Sequence, residues 1–262
     1  LNEEQKVQEE IPEENEQDAE SAIASLTSGT CGKNLKWELD NGTLTISGKG
    51  EMQSYMEYGY SAPWFSSNIR KVVITSGVIS IGDYAFKGCS SLTSITIPGS
   101  VTSIGYAAFY GCSSLTSITI PSSVTNIKDF TFKGCSSLTS ITIPSSVTRI
   151  GNAFYECSSL TSITIPSSVT NIEDYAFYGC SSLTSVTIPS SVTSIGGSAF
   201  YGCSNLISIT IPSSVTSIGS AAFYGCSSLM RIIIPSGVTN IKDSTFYGCS
   251  SLTSITIPSR SE

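Results

Sequence analysis

One stretch recurs through most of this chain and constrains the fold more than any other feature of the sequence. The run Gly-Cys-Ser-Ser-Leu-Thr-Ser-Ile-Thr-Ile-Pro-Ser-Ser-Val-Thr, seen whole at residues 111–125, returns every 23 residues, with a single interval of 22. Its copies are marked by Cys89, Cys112, Cys135, Cys157, Cys180, Cys203, Cys226 and Cys249. A fixed period of this length is typical of a solenoid, in which each turn packs only on its neighbours.

Each copy contains the alternation of a short strand. In the copy that starts at Cys89, Ile95 and Ile97 alternate with polar residues, so one face of the strand is buried and the other is wet. Pro98 has no N–H group and ends the strand at the same place in every turn. Val101 and Ile104 then direct the chain inward. Side by side, these strands predict one parallel sheet along the concave side of the solenoid.

The convex side is predicted to carry short turns. Ala108-Phe109 is expected on a short helical or 3₁₀ turn, and the 22-residue copy loses its residue on this side, within residues 150–154. The strands should therefore keep their register through that copy. The predicted fold is an α/β-type repeat solenoid, a right-handed arc of eight to nine turns spaced about 4.8 Å apart.

The chain divides into three predicted segments. Residues 1–28 are acidic and poor in apolar residues, which predicts a disordered tether. Residues 29–66 do not match the repeat and contain alternating apolar positions on both sides of Asp40-Asn41-Gly42, which predicts a β-hairpin that caps the N-terminal end. Residues 67–262 form the solenoid, with about eight copies and a partial one.

The repeat, Cys-x-x-Leu-x-x-Ile-x-Ile-Pro-x-x-Val-x-x-Ile-x-x-x-Ala-Phe, resembles the BspA-like leucine-rich repeats of bacterial surface proteins over residues 66–258. The segment from Cys31-Gly32 to Pro63-Trp64 also looks like the lead-in that precedes such repeats in secreted proteins. The resemblance implies a cell-surface solenoid, adhesive in some members and without a catalytic motif. This chain differs from better-known leucine-rich repeats because Cys stands where they commonly place a ladder Asn.

Charge excludes some classes of partner. Residues 1–20 hold eight Glu, one Asp and one Lys, a net charge of −8 within a chain total of −7, so the remainder carries about +1. A body without a basic stripe does not favour nucleic acid. No apolar run approaches the roughly 18 residues of a membrane span. We expect a secreted or cell-surface protein in a mature or trimmed form, monomeric or associating end-on at its C-terminal turn, without cofactors.

The cysteine column has three interpretations. Stacked free thiols that pack as small hydrophobes are favoured. Disulfides between neighbouring turns and metal binding are the alternatives. A ladder of identical turns gives no reason to pair some neighbours and not others, and the chain has neither His nor a Cys-x-x-Cys motif.

Two aromatic columns run through the copies. The phenylalanines at Phe86 and its equivalents are expected to form a buried spine. The residue after each Phe is Lys87 or Lys133 in two copies and tyrosine in the others, including Tyr155, Tyr178, Tyr201, Tyr224 and Tyr247. An exposed tyrosine stripe would suit stacking on sugars or proteins, whereas rings that merely pack on one another are the alternative.

The strand face is monotonous except near its C-terminal end. Outward positions are Thr, Ser and Thr in most copies, but Ile207 replaces the first Thr of one copy. Met230, Arg231 and Ile233 replace all three in the next. These four residues are the predicted ligand site, with sequence drift as the alternative.

No constellation suited to catalysis is visible. The chain lacks His, and Asp129, Asp174 and Asp243 fall in non-adjacent copies, so they do not form an acid/base pair. The favoured function is therefore a non-catalytic binding or adhesion module for an extracellular protein or glycan of a host or neighbouring cell. A structural spacer without a ligand of its own is the alternative.

Overall fold

The fold is a solenoid of stacked turns, seen in a computed structural model that describes residues 27–65 and 67–257. These residues contain short strands and turns but no helix. The strands are β1 Ser28–Gly32, β2 Leu35–Asp40, β3 Thr43–Gly48, β4 Gly50–Glu51, β5 Lys71–Ile74, β6 Val78–Ile81, β7 Ser94–Thr96, β8 Ser103–Ile104, β9 Ser117–Thr119, β10 Ser140–Thr142, β11 Ser162–Thr164, β12 Asn171–Ile172, β13 Ser185–Thr187, β14 Ser194–Ile195, β15 Ser217–Ile218, β16 Arg231–Ile233 and β17 Ser254–Thr256. Most of the segment predicted as an acidic tether, residues 1–26, lies outside the described residues.

The predicted hairpin is present and joins the repeat sheet. Strands β2 and β3 pair antiparallel around Asn41 and Gly42, whose φ angles of 46° and 79° are those of a primed hairpin turn. Strand β3 then pairs in parallel with β5, placing Leu44 beside Val72. The sheet order is β1-β2-β3-β5-β7, so the first repeat strands continue the hairpin sheet.

The repeat strands stack in parallel and in register. Ser140 lies opposite Ser117, and Arg231 lies opposite Ser254. Five of the seven three-residue strands bury their middle residue and expose the outer two, as in β9 and β10, whereas the middle residue is half-buried in β7 and exposed in the last strand, β17. The exposed side of these strands is called the strand face below. The predicted alternation of the parallel strands is confirmed.

The opposite side, called the turn face, is not helical, and the prediction of helical or 3₁₀ turns there is wrong. Two residues per turn adopt left-handed φ angles, for example Ala107 at 50° and Gly111 at 73°. A left-handed residue interrupts any run of right-handed helical φ values. Instead, successive backbone N–H groups donate alternately to a carbonyl of the next turn and to a carbonyl of their own turn. Phe86 donates to Ala108 of the next turn, whereas Lys87 donates to Tyr84 of its own turn.

The core is a column of stacked phenylalanines. Seven are fully buried, with ring centroids of successive turns 5.4–5.7 Å apart, and Phe246 is partly buried: Phe86, Phe109, Phe132, Phe154, Phe177, Phe200, Phe223 and Phe246. The predicted buried spine is confirmed. Trp64 extends it by stacking on Phe86 at 6.0 Å, and its indole N–H donates to the Ala85 carbonyl at 2.9 Å.

The 22-residue copy keeps its strand register, as predicted. The Thr161 N–H donates to the Thr139 carbonyl at 3.2 Å, and the Thr184 N–H donates to the Thr161 carbonyl at 2.9 Å. The missing residue changes the turn face instead, where Gly151 takes a φ of 48°. Glu156 keeps a left-handed φ, 58°, at a position where seven other copies have glycine.

Candidate binding surface

Most hydroxyl groups of the repeat serve the solenoid itself. Among the described residues, five of the six threonines that follow a repeat Leu donate their Oγ1 hydroxyl to the carbonyl one turn earlier, as Thr184 does to Thr161 at 3.1 Å. The serine two residues after the repeat proline behaves alike in six copies, as Ser191 does to the Val169 carbonyl at 2.7 Å. These contacts join adjacent turns along most of the solenoid. The near-identity of the copies at these Thr and Ser positions therefore has a structural cause, which the sequence pattern alone did not reveal.

The four residues predicted as a ligand site lie together on the strand face. The Met230 N–H donates to the Ile207 carbonyl at 3.3 Å, so these two residues are neighbours on adjacent turns. Arg231 lies between Ser208 and Ser254 in the ladder, and Ile233 lies beside Thr256. All four are exposed, with Ile207 at 51%, Met230 at 52% and Ile233 at 60% of their surface. We call these four residues the apolar patch.

The apolar patch gives up contacts that other turns make. Ile207 and Met230 occupy the position of the ladder threonine, and neither side chain can donate the hydroxyl bond to the preceding turn. Arg231 occupies a serine position and has no ion pair among the described residues. The patch therefore presents apolar surface and one free guanidinium on a face otherwise covered by hydroxyls.

The tyrosine column is a continuous stack. Ring centroids lie 4.6 Å apart for Tyr155 and Tyr178, 4.7 Å for Tyr178 and Tyr201, 4.5 Å for Tyr201 and Tyr224, and 4.8 Å for Tyr224 and Tyr247. The first four rings are half-buried, and Tyr247 is 64% exposed. Because the faces of the inner rings cover one another, the column presents ring edges and hydroxyl groups to solvent.

The two lysines in this column continue it by cation–π contacts. The Lys133 ammonium lies 5.3 Å from the Tyr110 ring centroid and 4.7 Å from that of Tyr155. The Lys87 ammonium lies 5.1 Å from Tyr58 and 3.5 Å from the Glu57 carboxylate. The alternation of Lys and Tyr in the sequence signals this arrangement, but the contribution of Glu57 and Tyr58 from the N-terminal segment is visible only in the structure.

The cysteine column is buried and hydrogen-bonded. The nine cysteines are free thiols, and all but Cys249 are buried. From Cys112 onward each repeat thiol donates to the carbonyl of the Phe that lies 25 or 26 residues earlier, as Cys112 does to Phe86, with S···O distances of 3.1–3.3 Å. Burial raises the pKa of Cys135 to about 12. Each thiol thus links its own turn to the backbone of the turn before it.

The aspartates serve turn geometry. Asp83 Oδ1 accepts the Tyr106 N–H at 2.7 Å, and Asp174 Oδ1 accepts the Gly197 N–H at 2.6 Å. Asp129 Oδ1 instead lies 3.3 Å from Arg149 and accepts no hydrogen bond from the described residues. Within the described ranges no three His, Cys, Asp or Glu side chains are placed to hold a metal ion. No helix in that part of the chain is long and apolar enough to cross a membrane.

Comparison with known proteins identifies the repeat. The family profile described as a BspA type leucine rich repeat region matches in six copies, over residues 61–153 and 151–262. The chain belongs to this family. No curated protein matches the sequence. Members of leucine-rich repeat families are in general not enzymes, which agrees with the structural use of the aspartates and cysteines described above.

Two solved structures support the same fold. A leucine-rich repeat protein from Eubacterium ventriosum is 28% identical, over 88% of this chain and 72% of that one, with a TM-score of 0.57. A leucine-rich repeat protein from Bacteroides ovatus is 27% identical, over 87% of this chain and 76% of that one, with a TM-score of 0.58. The BspA-like assignment made from the repeat residues is confirmed.

Proposed function

We propose that this chain is a secreted or cell-surface module that binds an extracellular protein through the apolar patch, without catalysing a reaction. The observation that carries the proposal is the exposure of Ile207, Met230 and Ile233 around Arg231, which has no ion pair in the described part of the chain. Contiguous apolar surface on an otherwise polar face is typical of an interaction site. Met and Arg are also enriched in protein interfaces.

A protein partner suits the patch better than a glycan. The three apolar side chains offer no planar ring on which a sugar can stack. Arg231 presents five N–H donors able to bind a carboxylate in bidentate fashion, and the surrounding apolar atoms would exclude water from that pair. We therefore expect a partner surface with an apolar projection beside an Asp or Glu side chain.

The experiment restores the consensus of the repeat. Met230→Thr, Arg231→Ser and Ile233→Thr together give this turn the strand face of its neighbours, and the threonine introduced at position 230 regains the ladder hydroxyl. We expect the triple variant to fold at least as stably as the parent and to lose about 2 kcal/mol or more of binding free energy for a partner captured from extracellular proteins. The matched control is Tyr247→Lys, which changes an exposed residue on the turn face.

Two outcomes would count against the proposal. Unchanged affinity in the triple variant, with an intact circular dichroism spectrum, would place the partner elsewhere on the molecule. A screen of extracellular-matrix proteins and glycans without any specific binder would favour the second function, a structural spacer. That alternative is supported by the near-identity of the strand-face positions in the copies from Cys112 to Cys180.

A further inference from the structure

One side chain of the apolar patch can be modified chemically without disturbing the solenoid. Met230 carries the only sulfur atom of the patch and is 52% exposed. We propose that oxidation of the Met230 thioether to the sulfoxide regulates the apolar patch, by placing a polar group in the middle of its apolar surface. The inference rests on the proposed function, because it assigns a modification site to that same surface.

Exposure separates the three methionines of the chain. Met52 is buried, whereas Met56 is 63% exposed, like Met230. Met56 lies in the segment between the hairpin and the first repeat, outside the apolar patch. An oxidant in solution therefore reaches two thioethers directly, and reaches that of Met52 only when the structure opens locally.

The cysteine column is a poor competitor for the oxidant. A thiol reacts with a peroxide as the thiolate, so its reactivity falls as its pKa rises and as its exposure falls. Eight of the nine thiols are buried, and burial raises the pKa of Cys135 to about 12. Cys249 is half-buried, but burial raises its pKa as well, and its Sγ donates to the Phe223 carbonyl at 3.1 Å. The thioether of Met230 has no proton to lose and is reactive at any pH.

The reaction is a two-electron oxidation of sulfur. Hydrogen peroxide transfers one oxygen atom to the Met230 thioether, so an S–O bond forms, the O–O bond breaks, and the peroxide leaves as water. Sulfur is oxidised and the peroxide is reduced, with no other reactant. The product is a polar, chiral sulfoxide, which methionine sulfoxide reductases convert back to the thioether.

The backbone at Met230 is held independently of the side chain. Its N–H donates to the Ile207 carbonyl at 3.3 Å, and its carbonyl accepts the Thr253 N–H at 3.0 Å and the Thr253 hydroxyl at 3.1 Å. Oxidation should therefore leave the stack of turns intact and change only the surface. A partner that covers the sulfoxide beside Ile207 must strip water from its oxygen, and this desolvation weakens binding.

The test uses the full chain with hydrogen peroxide as the oxidant. Peptide mass spectrometry follows the gain of oxygen at each methionine and cysteine. The binding probe is 1-anilinonaphthalene-8-sulfonate, whose apolar rings and sulfonate match the apolar side chains and Arg231. We expect Met230 to oxidise about tenfold faster than Met52, or more.

Oxidation of Met230 should weaken the probe by about fivefold or more, because burial of the exposed half of this side chain no longer drives binding. The circular dichroism spectrum should not change, and treatment with methionine sulfoxide reductases should restore the affinity.

Three variants assign the effect to Met230. Met230→Leu keeps an apolar side chain that peroxide does not oxidise, so its affinity for the probe should resist peroxide. Met230→Gln places a polar side chain of similar length at this position and should weaken the probe without peroxide. Met56→Leu is the matched control, because it removes the other exposed thioether, outside the patch, and should leave the response to peroxide unchanged.

The outcomes separate the regulation from the patch itself. Full affinity for the probe in the triple variant Met230→Thr, Arg231→Ser and Ile233→Thr would show that the patch offers no apolar binding surface, and would overturn both proposals. Where the triple variant loses the probe, four results would each overturn the regulation alone: oxidation of Met230 no faster than that of Met52, oxidation of Cys249 before Met230, unchanged affinity after Met230 is oxidised, or loss of affinity in peroxide-treated Met230→Leu.

Discussion

Glu156 is the residue at which a single substitution should stabilise the solenoid. It has a φ of 58° at a position where seven copies place glycine at 69–75°. A left-handed conformation costs a non-glycine residue about 1–2 kcal/mol. Glycine in its place loses about 0.5–1 kcal/mol more backbone entropy on folding. We therefore expect Glu156→Gly to raise the free energy of unfolding by about 0.5–1 kcal/mol.

The side chain of Glu156 offers little to offset this gain. It is exposed and makes no ion pair among the described residues. Its backbone N–H, which donates to the Tyr178 carbonyl at 2.6 Å, is unaffected by the substitution. For a folded unit of this size the expected rise in Tm is about 2 °C, since 1 kcal/mol corresponds to about 2–4 °C.

A reciprocal substitution isolates the backbone effect. A Cβ atom at Gly134 would lie 3.8 Å from the nearest atom, the Cα of Gly111, which is an ordinary contact. Gly134→Ala should therefore cost about 0.5–1 kcal/mol through its φ of 69° alone. Glu156→Gln removes the charge and keeps the Cβ atom, so it should leave stability unchanged.

Urea unfolding followed by circular dichroism measures all three variants. The reasoning is refuted if Glu156→Gly is no more stable than the parent, or if Glu156→Gln stabilises as much as Glu156→Gly. The second result would assign the effect to charge rather than to the backbone.

The remaining predictions concern the cysteine column and the N-terminal segment. Eight buried thiols should react with a thiol reagent only after denaturation without reductant, whereas the absence of reaction in the denatured chain would indicate disulfides. Burial raises the pKa of Cys89, Cys135 and Cys180 to about 12 from an ordinary value of 9.0, so these thiols ionise first in the unfolded chain. The free energy of unfolding should therefore fall by about 1.4 kcal/mol per thiol and pH unit as pH rises from about 9 to 12. A free energy of unfolding that stays constant across that pH range would contradict the burial of these thiols. Deleting residues 1–66 should expose Val72 and Ile74 and cause aggregation, whereas deleting residues 1–26 should not, and a soluble folded 67–262 fragment would show that the hairpin is not a cap.

The repeat made the strand face predictable. The alternation around Ile95 and Ile97, with proline after it, specifies a strand whose inner and outer faces are the same in every turn. The hairpin was equally visible, because Asn-Gly between two alternating apolar runs tolerates positive φ at both central positions. Local sequence rules were sufficient wherever one side of the chain is buried and the other is wet.

The turn face was not predictable from the same rules. Ala107 and Phe109 are compatible with a helix by propensity, but the chain takes a left-handed angle at Ala107 so that alternate N–H groups can bond to the next turn. That requirement comes from the stacking of turns, and it appears in the sequence only as the glycine two residues after Phe. The contact of Glu57 with Lys87 was hidden for a similar reason, since Glu57 lies in a segment outside the repeat.

The departures from the repeat bear on the choice between a binding module and a spacer. The Asp129 Oδ1, which has no hydrogen-bond donor among the described residues, lies beside Arg149 of the 22-residue copy, so the missing residue of that copy gives this unfavourable feature a local cause. Ile207 and Met230 lie in copies of normal length and have no such local cause. Each forgoes a ladder hydroxyl bond worth about 0.5–1.5 kcal/mol and exposes apolar surface instead. A spacer gains nothing from that exchange, whereas a binding surface requires it, and this asymmetry favours the binding module.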